Sequence, residues 1–325
     1  MWNEVLKRID SVVTPQEAIK RWGGSPNTLT LVSDGINLVY RFENNQRGLY
    51  LRMTHASLRK ESELLSAIHY QNHLFQHQAP VCEPLPSLNG LWVENIIQDE
   101  DIFLAHVCSE VPGTPIHFDY PGNELYREWG KALGKLHLAV VSYEPLTHQY
   151  TNWKSSIIEM NDYAKHESMA LQAVLKDVSI YFTNRSQTSD NLGLTHGDHR
   201  EGNVLSDGHH VHIIDFDLPS FNWFMEDFTR PFFHSIIHDD VSWKQKITPY
   251  LEGYLSIMPK QSLDLSAFVK QIQMKSLEIY LWTKNNWSGD TAPGTGSTKQ
   301  WLDKIHEKII DTSWMQQIDY RYKDE

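Results

Sequence analysis

The hydrophobic pattern changes its period along the chain. Three short runs early on, TLTLVS, LVYRFE and LYLRMT, alternate apolar and polar side chains. Alternation turns one face of each run toward a core and predicts strands. Ser33-Asp34-Gly35 separates the first two, and Asn44-Asn45-Gln46-Arg47-Gly48 the last two; both are turn-forming sequences. Ahead of them, Thr14-Pro15-Gln16-Glu17 has the form of a capping box with Pro at the first helical position, and Gly23-Gly24-Ser25-Pro26 ends that helix. From about Leu58 to Phe75 the spacing becomes helical, with Leu64, Leu65, Ile68 and Phe75 on one side. Pro80, Pro84 and Pro86 mark a loop, and LWVENII and IFLAHV read as two further strands. Five strands with one helix inserted after the third make an α+β pattern.

Past Pro112-Gly113 the periodicity is mostly helical, in ELYREWGKALGKLHLAV, then in a long stretch from about Asn152 to Phe182, and again from about Asp227 to Lys284. One hairpin interrupts it: NVLSD and HVHIIDF are joined through Asp207-Gly208, a strong hairpin dipeptide. SGDTAPGTGS reads as a flexible loop. It lacks the Gly-Lys-Ser/Thr ending and the preceding strand of a phosphate-binding loop.

Composition narrows the class. The chain has 325 residues, 40% hydrophobic and 22% charged, ordinary values for a folded two-part protein. Two cysteines, Cys82 and Cys108, fit a reducing compartment. No apolar run approaches the roughly 20 residues of a membrane span, and the N-terminus, carrying Glu4 and Asp10, lacks a signal-peptide core. A cytoplasmic protein is expected. Lys and Arg number 29 against 41 Asp and Glu, a net charge of −12. That balance disfavours a nucleic-acid partner, since phosphate neutralisation needs clustered cations.

The chemistry concentrates in LTHGDHREGNVLSDGHHVHIIDFD. His196-Gly197-Asp198 is followed by Asn203, and the hairpin returns the chain to Asp215. An Asn carbonyl and a carboxylate are hard oxygen ligands, suited to Mg²⁺ that takes its other oxygens from water and phosphates. Asp198, beside them and not ligating, supplies a carboxylate for a nucleophilic hydroxyl. This is what phosphoryl transfer requires. Seventeen histidines invite a zinc reading, but the first His of an HxHxDH motif falls on Leu194, and His209, His210 and His212 alternate faces of the hairpin.

HGDxxxxN followed by IDFD resembles the aminoglycoside phosphotransferase/choline kinase-like family. GKALGKLHLAV is similar to the family helix that ends in Leu-His, here Leu136-His137. FDLPSFNWFMEDF resembles the segment that closes on an acidic pair, here Glu226-Asp227, and LEGYL also recurs in relatives. The resemblance runs from about residue 30 to about residue 260. It implies a protein-kinase-like two-lobe fold: a small N-terminal antiparallel β lobe with one inserted helix, residues 1–107, and a larger, mainly helical C-terminal lobe, residues 108–325. The division falls near residues 106–113.

The resemblance also implies roles. The chain is expected to be an ATP- and Mg²⁺-dependent kinase. Arg52 on the third strand, held by Glu61, grips the α/β-phosphates. Gly35 lies in the turn that replaces a glycine-rich phosphate loop. His106, Val107 and Cys108 offer main-chain groups to adenine. Asn203 and Asp215 hold Mg²⁺, Asp198 orients the acceptor hydroxyl and takes its proton, and Arg200 meets the transferring phosphate. His196 is a structural support, and Asp227 a structural tie to the catalytic loop. The acceptor is read as a cationic small molecule, namely an amino sugar, aminoglycoside, choline-like amine or amino alcohol. That reading rests on the net charge and on Asp217 and Glu226 just past the metal ligand. Homoserine-type and stress-response Ser/Thr protein kinases of the same family stay open, as does a pseudokinase that binds nucleotide without turnover.

Overall fold

The computed structural model describes residues 13–34, 37–116, 122–145, 150–258, 267–292 and 296–314. The chain divides into two compact units. The first comprises Met1–His117, Ser142–Tyr150 and Gly202–Leu218, and the second Phe118–Val141, Thr151–Glu201 and Pro219–Glu325.

The first unit opens with helix α1 (Val13–Lys20). Gly23, at φ +70°, ends it in the left-handed conformation that glycine adopts without a Cβ penalty. Six strands follow: β1 (Thr30–Asp34), β2 (Leu38–Asn44), β3 (Arg47–His55), β4 (Pro84–Leu85), β5 (Glu94–Gln98) and β6 (Asp101–Ser109). They form an antiparallel sheet of order β1-β2-β3-β6-β4, with β5 also paired to β6. Phe42, Leu51, Ala105 and Val107 pack its core against Ile19 of α1. Helix α2 (Glu61–Gln76) is inserted after β3. The prolines expected to mark a loop include the short strand β4, which pairs with Val107 and Cys108. Proline is tolerated in a sheet at such an edge because the missing N–H faces away from the ladder.

The hairpin belongs to this unit. Val204–Ser206 pairs with Val211–Ile213, and Val204–Ser206 also pairs with Thr114–Pro115. The Asp207 carboxylate accepts the main-chain N–H of His209 and of His210, and Gly208 takes φ +95°, so the Asp-Gly dipeptide makes the turn for which it was read.

The second unit holds helices α3 (Asn123–Val140), α4 (Trp153–Tyr163), α5 (Met169–Asn184), α6 (Met225–Ile237), α7 (Trp243–Leu255), α8 (Ala267–Asn286) and α9 (Thr298–Ile310). The expected single stretch from Asn152 to Phe182 is two helices. A short 3₁₀ turn, Ala164–His166, ends the first, and the Ser168 hydroxyl caps the second. The core is strongly aromatic: Trp129, Phe182, Trp223, Phe224, Phe228, Phe232, Tyr250 and Tyr254 are all fully buried. Among the described residues, no helix is long and apolar enough to cross a membrane.

Helices α3 and α7 approach through glycine. A Cβ on Gly130 would lie 1.9 Å from the Tyr250 carbonyl oxygen, and one on Gly253 would lie 1.9 Å from the Arg127 carbonyl oxygen. Both obstacles are backbone, which cannot rotate aside. This explains why GKALGKLHLAV and LEGYL stand out in the sequence: each carries one of the glycines. Gly253→Ala is expected to cost at least the roughly 1–3 kcal/mol of overpacking and to lower Tm by several degrees in a thermal melt. An unchanged Tm would refute the close approach.

Candidate active site

Two groups of sequence-predicted residues gather, one within each unit. In the second unit, the loop carrying Asp198 follows the strand Leu192–Thr195. Gly197 sits at φ +81°, so the loop turns where only glycine turns freely. Asp227, fully buried at the start of α6, holds this loop: its carboxylate accepts the N–H of His196 at 2.6 Å and of Gly197 at 3.0 Å. His137 donates to the same carboxylate at 3.2 Å, accepts from the Tyr254 hydroxyl at 2.9 Å, and stacks on Phe224. Burial pushes the Asp227 carboxyl up, but the hydrogen bond from His137 and the histidines around it outweigh burial and hold it at about 2. The expected tie is thus built from main-chain hydrogen bonds.

Asp198 itself is held by two arginines. Arg200 Nε donates to Oδ2 at 3.0 Å, and Arg230 Nη2 to Oδ1 at 2.9 Å. Burial lifts its carboxyl, while Arg230 and then Arg200 pull it below the ordinary value. The Asp198 N–H donates to His196 Nδ1 at 3.3 Å, which accounts for His196 as a support. His199 is also structural: it is buried, and its Nε2 accepts from the Trp129 indole at 2.9 Å.

In the first unit, the Ile214 N–H donates to the Asn203 carbonyl at 2.9 Å, which brings Asn203 next to Asp215 across the hairpin. Asp215 has φ +71°, a left-handed conformation that an L-residue holds only under constraint and that clusters at functional sites. Phe216 meets the edge of the Tyr70 ring on α2, so the segment is packed against that helix as well. Arg52 Nη2 donates to Asp215 Oδ1 at 2.8 Å and also bonds the Asp217 carboxylate. Burial lowers the Arg52 guanidinium, but Asp217 and Asp215 more than compensate, so it stays charged. An Asn amide oxygen and an Asp carboxylate are hard-oxygen donors, the kind that suits a hard divalent cation.

Several expectations change. Among the described residues, Arg52 makes no ion pair with Glu61. Glu61 is exposed at the first turn of α2, where its carboxylate accepts from the Asn95 amide at 3.4 Å, while the hairpin carboxylates lie closer to the guanidinium. Asp217 is not an open acidic residue. It is bonded by Arg52, by the Asn37 amide and by Arg59, whose second nitrogen also reaches the Asp217 carbonyl at 2.8 Å. Glu226 is 4% exposed and is bonded by Asn222, Thr195 and Lys275. Burial raises its carboxyl to about 7, against the pull of Lys275. It is thus a core residue, shut off from a ligand. His106, Val107 and Cys108 lie inside β6, which extends further than read and pairs with β3 on one edge and with β4 and β5 on the other. The ladders take up their main-chain groups. Ser109 N–H goes to Glu83 and Glu110 N–H to Gly48, so Val111 is the first residue past both. Gly35 lies outside the described residues.

Arg59 and Arg230 were not found from the sequence. Arg59, in LRKE, reads as ordinary surface charge and carries no signal. Arg230 has one: it follows Asp227 by three residues on a helix, and so shares its face.

Comparison with known proteins gives the family and the fold. The model of the phosphotransferase enzyme family matches residues 28–246. Amicoumacin kinase of Bacillus subtilis (strain 168) is 24% identical over 249 residues, covering 73% of this chain and 74% of that protein. Among solved structures, amicoumacin kinase hAmiN in complex with AMP-PNP, Ca²⁺ and Ami aligns with a TM-score of 0.80 at 20% identity, over 96% of this chain and 97% of that one. The microcompartment-associated aminopropanol kinase aligns with a TM-score of 0.72 at 16% identity, over 92% and 95%. The kinase-like α+β fold is therefore shared over nearly the full length. Since the matched segment spans both groups of residues described above, the chain belongs to the phosphotransferase enzyme family and is a kinase.

Proposed function

We propose that the chain transfers the γ-phosphate of ATP to a hydroxyl of a small molecule, with Mg²⁺ as the divalent cation. The observation that carries this reading is the placement of Asn203 beside Asp215, with the Arg52 guanidinium on the same carboxylate. Asn203 and Asp215 would hold the metal, which supplies charge neutralisation on the phosphates. Arg52 is a fixed planar fork that binds phosphate oxygens bidentately, unlike the point charge of a lysine. It would exchange its carboxylate partners for α/β-phosphate oxygens, and Arg59, bonded to Asp217 at 3.0 Å, keeps that carboxylate neutralised when it does. Main-chain groups from Val111 onward, past the ladders of β6, would take adenine. Asp198 orients the acceptor hydroxyl and receives its proton. The transition state is loose, so positioning outweighs base strength. A carboxylate held below its usual range by two cations is suited to that task.

The likeness to an amicoumacin kinase and to an aminopropanol kinase supports a small-molecule acceptor, and an amino alcohol fits best. The test is ADP release from Mg·ATP over a panel of amino alcohols, aminoglycosides, amicoumacin, choline, homoserine and a generic Ser/Thr protein substrate. One amine-bearing alcohol is expected to stimulate ADP release at least tenfold over water. Release with the protein substrate alone would move the assignment to a protein kinase. A Mg·ATP-induced thermal shift with no release to any acceptor would favour the pseudokinase.

A further inference from the structure

We propose that Arg230 is a positioning residue that fixes the Asp198 carboxylate for the acceptor hydroxyl. The inference rests on the role given to Asp198 above. The two oxygens of that carboxylate are held by different arginines, and the two are not equivalent. Arg200 lies in the loop itself with its side chain 46% exposed, whereas Arg230 comes from α6 and is 19% exposed. An exposed long side chain pays entropy to stay in one place. The half-buried one, resting over the Phe233 ring at 5.4 Å, is already fixed. Its helix also carries Asp227, three residues earlier, which bonds the loop main chain at His196 and Gly197. One face of α6 therefore locates both the backbone of the loop and the carboxylate that projects from it.

The arrangement costs stability. Among the described residues, Arg230 Nε is buried with no hydrogen-bond partner, and an unsatisfied donor carries its full desolvation penalty. Replacing both members of a buried ion pair by apolar residues is often neutral or stabilising, so such a pair is weak evidence of a role in stability. A cation kept at such a cost beside a catalytic group is explained by what it does to that group's geometry. The charges nearby do not substitute for it. Lys275 of α8 is committed to Glu278 at 2.8 Å and Glu226 at 3.2 Å, and His196 is below the loop, bonded to the Asp198 N–H.

Arg230→Leu, Arg230→Lys and Arg230→Ala test this in the full chain, with Mg·ATP and aminopropanol, homoserine or water as acceptor. Misplacement of a reacting group by about 1 Å costs on the order of 10²-fold. Arg230→Leu is accordingly expected to lose roughly 10- to 100-fold in kcat, with KM for ATP and the Mg·ATP thermal shift unchanged and Tm lowered by no more than a few degrees, because Arg200 still pairs with Asp198. Arg230→Lys, which lacks the fork, recovers only part of the rate, and millimolar guanidinium partly rescues Arg230→Ala. An unchanged kcat in Arg230→Leu overturns the proposal, as does a loss that follows a collapse in Tm and resists rescue. Asp198→Asn separates the two layers. If it keeps full turnover, the reading of Asp198 itself fails. If it is inactive while Arg230→Leu is normal, only the role of Arg230 fails.

Discussion

Asp198→Ala is expected to turn over Mg·ATP about 10²–10⁴-fold more slowly than the parent chain, the range for loss of a positioned general base. The nucleotide-induced thermal shift should survive, because the groups assigned to phosphate and metal all lie in the first unit, at Arg52, Asn203 and Asp215. Alanine also strips Arg230 and Arg200 of their shared partner, so Asp198→Asn is the sharper variant. It keeps an oxygen for Arg230 and the shape of the carboxylate while removing the charge. Steady-state ADP release and a melt with and without Mg·ATP measure both effects. Near-normal turnover by either variant, with any acceptor that the parent phosphorylates, would remove Asp198 from the reaction.

The second large effect is expected at Asp215. Its backbone is left-handed at φ +71°, a region that Asn tolerates and Ala does not. Asp215→Asn therefore keeps the fold and an oxygen but loses the negative charge. Losing a partner outside the direct ligand set typically costs 10–100-fold in metal affinity, and a direct ligand should cost at least that. Mg·ATP affinity is accordingly expected to fall about 10²-fold or more, with binding of metal-free ATP little changed and with Tm in the absence of nucleotide close to the parent. Arg52 remains charged because Asp217 still pairs with it. Titration calorimetry with ATP, with and without Mg²⁺, reads this directly. Equal Mg·ATP affinity in the two proteins would take Asp215 out of the metal site.

The candidate residues that the sequence displays are those whose chemistry and spacing lie within one short segment. Asp198, Asn203 and Asp215 fall within 24 consecutive residues, Leu194 to Asp217, joined by a hairpin that the Asp-Gly dipeptide announces. Periodicity found the strands of the first sheet and the helices for the same reason: each depends on neighbours a few positions away. What stayed hidden was pairing at long range. Arg52 was assigned to Glu61, nine residues on, yet its carboxylates come from 163 and 165 residues away. Glu226 reads as an available acid because it lies just past the expected metal ligand Asp215 in an acidic chain, and only the packing of α6 against α8 puts Lys275 beside it. The resemblance offers the main-chain groups of residues 106–108 to adenine, while the periodicity ends that strand at Val107. The strand continues to Ser109 once β4 pairs with it, and no local pattern marks a two-residue strand made of Pro84 and Leu85.

The net charge of −12 changed its meaning on the same grounds. It supported a cationic acceptor so long as Asp217 and Glu226 were free. Both are engaged, one by two arginines and one by a lysine, so the acid near the metal ligand is largely neutralised within the protein. By itself, then, the sequence determined the α+β pattern, through local periodicity, and the resemblance of its motifs gave the kinase-like fold and the reaction type; Asp198 and Asp215 are the carboxylates proposed to carry that reaction. The tertiary structure alone decided which charge meets which: Arg52 with the hairpin, Arg59 with Asp217, Arg230 with Asp198. Ion pairing depends on distance in space, and a salt bridge leaves no period in the chain for a sequence to display.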